Sequence, residues 1–269
     1  MKLFEELPSV LPWFDTEQKQ IRFRENNSKV EIYKLISGDD NLLPFLIKLP
    51  KDTPAPIEWK IYQLNGIAID ISNNIGLLKA VNFSDATYAY YKGETITYSG
   101  LKPKGYFYLK MTFPNGLVRY SEVMFVGCSN YLKIEFWNDG DIEPLRYRND
   151  FHQKIFLDTF LHTAEPSIEE EGERDGDNKL IPTFVKMTIK QKAEAIVPDF
   201  VKIALSTLQL HDNVKVSFGT REGFVDRAEV TSQVDETGAY SSVIMDFETE
   251  VLSKKTCDDD LPALNSNYW

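Results

Sequence analysis

The side chains of this 269-residue chain with a direct route to nucleophilic or acid–base chemistry are few: His152, His162, His211, Cys128 and Cys257. A catalytic thiolate needs an imidazole or a cation beside it. Both cysteines fall at predicted domain edges, and two reduced structural thiols is the reading that position favours. No CxxC pair occurs, which removes the usual thiolate frame for zinc. No serine lies in GxSxG, which excludes the strained elbow of an α/β-hydrolase by motif. No GxGxxG or GxxxxGK[ST] run is present to cradle phosphate, so nucleotide use is not expected. His152 and His162 flank an apolar run and read as satisfied polar neighbours.

Carboxylates and aromatics offer two further chemistries. Asp139-Gly140-Asp141 with Glu143, and Asp175-Gly176-Asp177-Asn178 with Glu173, resemble loops that supply oxygen ligands to calcium. Neither has the EF-hand spacing, with glycine at the sixth place and glutamate at the twelfth. They read as solvated acidic loops, and neither a metal nor a cofactor is expected. Trp13, Trp59, Trp137, Tyr88, Tyr90 and Tyr91 are candidate platforms for a carbohydrate, weighed against their use as core or interface residues. Paired carboxylates for glycoside cleavage carry no information in a chain this acidic.

Composition narrows the classes. Apolar residues make up 42% of the chain and aromatics 13%, enough to bury a sizeable core. The net charge is −11, a field that repels phosphate backbones and anionic membranes. Direct nucleic-acid binding is therefore not expected. The N-terminal residues have no signal-peptide pattern, and no segment approaches the roughly 20 apolar residues of a membrane span.

The elements that must position these residues read as mainly β. Tyr106, Tyr108, Lys110 and Thr112 alternate with Phe107, Leu109, Met111 and Phe113. Pro114-Asn115-Gly116 then reverses the chain, because Asn-Gly accepts the positive φ that a tight hairpin needs. Leu117 to Val126 returns as the partner strand. Further short strands are expected at residues 44–49, 58–64, 67–71 and 87–91, with Pro, Gly, Asn and Asp between them. Residues 39–127 read as a β-sandwich behind an N-terminal arm or hairpin, 1–38. Trp13 and Phe14 in that arm would dock on a neighbouring subunit or cap their own core.

A C-terminal β-rich domain is expected over residues 128–256. It has strands at 131–138, 151–162, 183–197 and beyond 213, and an exposed acidic loop at 165–181. One helix, about 198–210, begins with Pro198 and Asp199. Val201, Ala204, Leu205 and Leu208 form its apolar stripe. Residues 257–269, ending in Trp269, read as a flexible tail or an intersubunit strap.

Two resemblances carry the reading further. Leu101-x-Pro-x-Gly105-x-x-Tyr108 resembles the approach to the penultimate strand of immunoglobulin-like and fibronectin-like sandwiches. There a tyrosine bonds back to the preceding loop. Tyr106 or Tyr108 would fill that role, Tyr106 preferred because it directly follows the Gly105 turn, and Trp59 would be the core tryptophan. The second lies in Gly105-Tyr-Phe-Tyr with Tyr120-Ser-Glu-Val-Met-Phe-Val, and in the run from Asn130 through Gln153-Lys-Ile-Phe-Leu-Asp to Pro198-Asp-Phe-Val-Lys-Ile-Ala-Leu. These resemble virion tail and baseplate proteins of Bacteroidetes-type tailed phages and prophages.

That resemblance implies a non-enzymatic subunit, made in a host cytoplasm and located in the virion. It would assemble with itself into a ring and contact other tail proteins. Trp13, Phe14, Tyr106, Tyr108, Tyr120 and Trp269 are its candidate interface residues. Rival readings are a carbohydrate-binding or adhesin module and an unrecognised hydrolase.

Overall fold

The structure is a computed structural model, and it describes residues 10–20, 35–36, 45–71, 79–84, 88–93, 105–126, 131–139, 152–174, 176–234 and 240–255. In chain order the strands are β1 (Trp13–Phe14), β2 (Leu35–Ile36), β3 (Phe45–Pro50), β4 (Glu58–Gln63), β5 (Ala68–Asp70) and β6 (Lys79–Ser84). Next come β7 (Tyr88–Gly93), β8 (Gly105–Thr112), β9 (Val118–Ser121), β10 (Met124–Val126), β11 (Leu132–Trp137) and β12 (Gln153–Leu157). The last are β13 (Glu165–Arg174), β14 (Leu180–Pro198), β15 (Asn213–Phe218), β16 (Arg221–Val225), β17 (Arg227–Val234) and β18 (Tyr240–Lys255). The helix α1 (Asp199–Ser206) lies between β14 and β15. The fold is mainly β, its sheets predominantly antiparallel, with the helix packed on one of them.

Strand periodicity places the core. In β8, Phe107, Leu109 and Met111 are fully buried, as the alternation of types requires, and Phe113 follows them inward. β8 lies in a seven-stranded sheet with β9 and β10 along one edge and β4 along the other. A separate three-stranded sheet has the order β3-β7-β6. The Phe45 ring of β3 lies 4.8 Å from Trp13 and 6.2 Å from Trp59, which joins the two sheets through one aromatic cluster. Trp59 is buried there, in the expected core position.

The C-terminal half holds two four-stranded sheets, β12-β11-β15-β16 and β13-β14-β18-β17. Val201, Ala204, Leu205 and Leu208 are all fully buried, so the predicted helical stripe is the packing face. The helix contacts β14, β17 and β18, where Ala193, Val197, Val243 and Met245 are buried. Pro198 closes β14 and caps the helix, which ends at Ser206 and tightens into a 3₁₀ turn at Leu208–Leu210. Most of the described buried apolar residues of both halves form one continuous cluster.

Several expectations are corrected. The acidic stretch at 165–181 is not a loop. Glu165–Arg174 is a ten-residue edge strand paired with β14, and only the residues around 176–179 turn. An edge strand exposed on both faces shows no apolar alternation, and lysines on β14 answer its acids: Glu165 lies opposite Lys190 and Glu169 opposite Lys186.

The Pro114-Asn115-Gly116 reversal is a three-residue loop. Gly116 N–H donates to Phe113 O at 3.0 Å, and among these residues Gly116 alone takes a positive φ, +80°. Pro114 presets the first turn position and Gly116 supplies the left-handed residue that realigns the strands.

The return strand is broken. Its pairing with β8 changes register between Tyr120 and Met124, because Ser121, Glu122 and Val123 form a bulge. The strand expected over 151–162 is confined to Gln153–Leu157, and β6 was not anticipated. Within the expected arm, Glu17–Lys19 form a 3₁₀ turn that ends at Gln20. The loop before Gly105, both cysteines, the 127–130 boundary, Asp141, Glu143, Asp175 and the tail with Trp269 lie outside the described residues.

Candidate functional site

The residues on the solvent side of β8 define the most distinctive surface. The registers of β1, β9, β8 and β4 bring Phe14 opposite Tyr120, Tyr120 opposite Lys110, and Tyr108 opposite Tyr62. Phe125 lies opposite Tyr106. Cross-strand partners share a face, so all seven side chains stand on the outer face of one sheet.

Their rings pack on each other. Tyr62 and Tyr108 stack at 5.4 Å with an interplanar angle of 13°. Tyr108 and Tyr120 are 6.5 Å apart, and Tyr106 and Phe125 are 4.9 Å apart. Tyr108 is buried by these neighbours, and its hydroxyl donates to Glu17 Oε1 of the 3₁₀ turn. Phe14, Tyr62, Tyr106, Tyr120 and Phe125 remain half-buried.

Charge on this face is held in pairs. Lys60 and Lys110 are directly opposite, an arrangement that costs stability unless both cations find other partners. Lys110 Nζ lies 5.7 Å from the Tyr120 ring centroid and 5.9 Å from that of Tyr62. Lys60 turns to Glu58 at 2.5 Å, and this bond raises its pKa. The surface is thus amphipathic: aromatic bodies, hydroxyl tips and one cation held between two rings.

Beneath it, the bulge is pinned by polar groups. Ser121 Oγ accepts from Leu109 N–H at 2.9 Å and donates to Glu122 O at 2.8 Å. Gln20 Nε2 donates to Ser121 O at 2.6 Å, and Val123 N–H donates to Glu122 Oε1 at 2.9 Å. Gln20, Ser121 and Glu122 are all buried. They fix the N-terminal segment and the Tyr108–Glu17 bond against the sheet.

The histidines are dispersed among aromatic neighbours. His152 stacks on Trp137 at 4.6 Å, and His162 lies 5.0 Å from Phe160. His211 is buried edge-on to Phe136 at 4.7 Å, and its Nδ1 donates to Thr207 O at 2.7 Å. Burial lowers its pKa to about 4, against smaller opposing effects of the Thr207 carbonyl and Asp212. Among the described residues, no group of three or more His, Cys, Asp or Glu side chains is placed to hold a metal ion. No described helix is long and apolar enough to cross a membrane.

No family model, curated protein or solved structure matches this chain. The geometry alone therefore orders the candidate residues. Phe14, Tyr106, Tyr108 and Tyr120 come together on the outer face. Trp13 pairs with Ser121, one residue out of phase, and turns inward onto Phe45 and Trp59. Sequence reasoning placed Lys110 on the face of Tyr106 and Tyr108 but missed Tyr62 and Phe125 as members of it. The alternation of Glu58-Trp-Lys-Ile-Tyr-Gln63 held the signal for Tyr62.

Of the carbohydrate candidates, Trp13 and Trp59 face the core and Tyr91 packs against it. Trp137 is flanked by His152 on one side and by Phe224, 5.9 Å away, on another. Its ring is already in contact with two others, which limits the area left for stacking a sugar.

Proposed function

We propose that this chain is a non-enzymatic structural subunit that assembles through sheet surfaces, as a component of a phage tail or baseplate. The observation that carries the reading is the aromatic outer face built by Phe14, Tyr62, Tyr106, Tyr108, Tyr120 and Phe125 around Lys110. Tyrosine contributes large contact area at low entropic cost and keeps a polar tip that tolerates water when the surface is free. A face of this kind suits a subunit that is soluble first and assembled later.

The virion assignment draws on the resemblance of Gly105-Tyr-Phe-Tyr, Tyr120 to Val126 and Pro198-Asp-Phe-Val to tail proteins. Mass spectrometry of particles purified from the source strain tests it. The chain should appear in intact tailed particles in a multiple-copy ratio to the other tail proteins. Its absence from particles that contain the remaining tail components would contradict the assignment.

A further inference from the structure

We propose that the sheet β13-β14-β18-β17 is extended by a second copy of this chain, with the outer edge of β13 pairing with the outer edge of β17 in the neighbouring copy. The inference rests on the reading of the chain as a self-assembling subunit and specifies a contact separate from the tyrosine face. Among the described residues, β13 and β17 are the two terminal strands of that sheet. Its three internal pairings are all antiparallel. Directions therefore alternate across four strands, and β17 runs opposite to β13. A copy rotated about an axis lying along the strands presents β13 antiparallel to β17. The ladder then continues without changing its type.

Exposure and charge select the partner. Nine of the ten residues of β13 are exposed, Ser167 being the half-buried one. An edge of this length templates pairing with any strand that is not repelled. β13 carries Glu165, Glu169, Glu170, Glu171 and Glu173, so a twofold pairing of β13 with itself sets carboxylates against carboxylates. β17 reads Arg-Ala-Glu-Val-Thr-Ser-Gln-Val, and its two charged residues, Arg227 and Glu229, form an ion pair with each other. From Val230 to Val234 it carries no charge and is rich in residues suited to strands. The heterologous pair is the one that brings an acidic edge to an edge of no net charge. Each copy uses each edge once, so the contact propagates head to tail and closes when the rotation per copy divides a full turn.

Paired charge variants of the full chain test the contact by sedimentation. Thr231 and Ser232 are exposed on β17, so substitutions there leave the core untouched. Thr231→Glu with Ser232→Glu should weaken association by about two- to thirtyfold, the effect of roughly two like-charge cross-strand pairs. Thr231→Lys with Ser232→Lys should tighten it, because the lysines meet the acids of β13. If both variants assemble as the wild type does, the edge contact is wrong while the assembly reading stands. A wild-type chain that stays at the single-copy mass of 31.0 kDa overturns both, including the case in which its own segments cover these edges.

Discussion

His211 and Ser121 show how single residues set the conditions under which the sheet surfaces exist. His211 is buried and neutral, with a folded pKa of about 4 against 6.5 for the free side chain. Between those values the unfolded chain binds a proton that the folded chain excludes, so stability declines as pH falls from 6.5 toward 4. The full gap is worth roughly 3 kcal/mol. His211→Asn should flatten this part of the profile relative to wild type in denaturant titrations; parallel slopes would contradict it. Carboxylates act lower down. Burial raises the pKa of Glu135, but its bonds to Lys133 at 2.8 Å and Lys154 at 3.1 Å outweigh that and hold it below its usual value. Its stabilising contribution is therefore lost only as pH falls through that lowered pKa. Neither role was legible beforehand. A histidine in Leu210-His-Asp-Asn213 reads as a helix terminator, and only the fold reveals that Phe136 and Thr207 enclose it. The bulge at Ser121 was equally hidden, because its signature is a hydroxyl replacing one ladder bond.

At the scale of elements, legibility followed burial. β8 and the stripe of α1 were readable because one face of each is fully buried, and alternation or helical spacing is then imposed on the sequence. β13 was misread because an edge strand exposed on both sides carries no such period, and its run of glutamates looks like a solvated loop. β1 was visible only as an arm, since a two-residue strand has too little length for any period. The hairpin loop was placed correctly while its geometry was not: Pro114 fixes the turn and leaves Gly116 alone to adopt the left-handed conformation. Gly116→Ala should therefore destabilise the protein by about 1–2 kcal/mol, through backbone strain alone, because no heavy atom lies within 4 Å of an added Cβ. Chemical denaturation checks this. A neutral substitution would mean that the loop relaxes to another turn.

At the scale of the whole molecule, two sheet surfaces have different characters. The outer face of the seven-stranded sheet is aromatic, half-buried and held together by ring contacts around Lys110. The sheet that carries α1 ends in one acidic and one largely uncharged edge. The resemblance to tail proteins implied an interface role for Phe14, Tyr106, Tyr108 and Tyr120, and the fold gathers them on one face with Tyr62. Trp13 belongs to the core instead, a distinction decided by the one-residue phase between Trp13 and Phe14. Sedimentation velocity of the chain as a function of concentration tests its self-assembly. A self-assembling subunit gives a particle whose mass is an integral multiple of 31.0 kDa and which dissociates when Lys110→Glu places a carboxylate between the Tyr62 and Tyr120 rings. A single 31.0 kDa species at every concentration would contradict self-assembly.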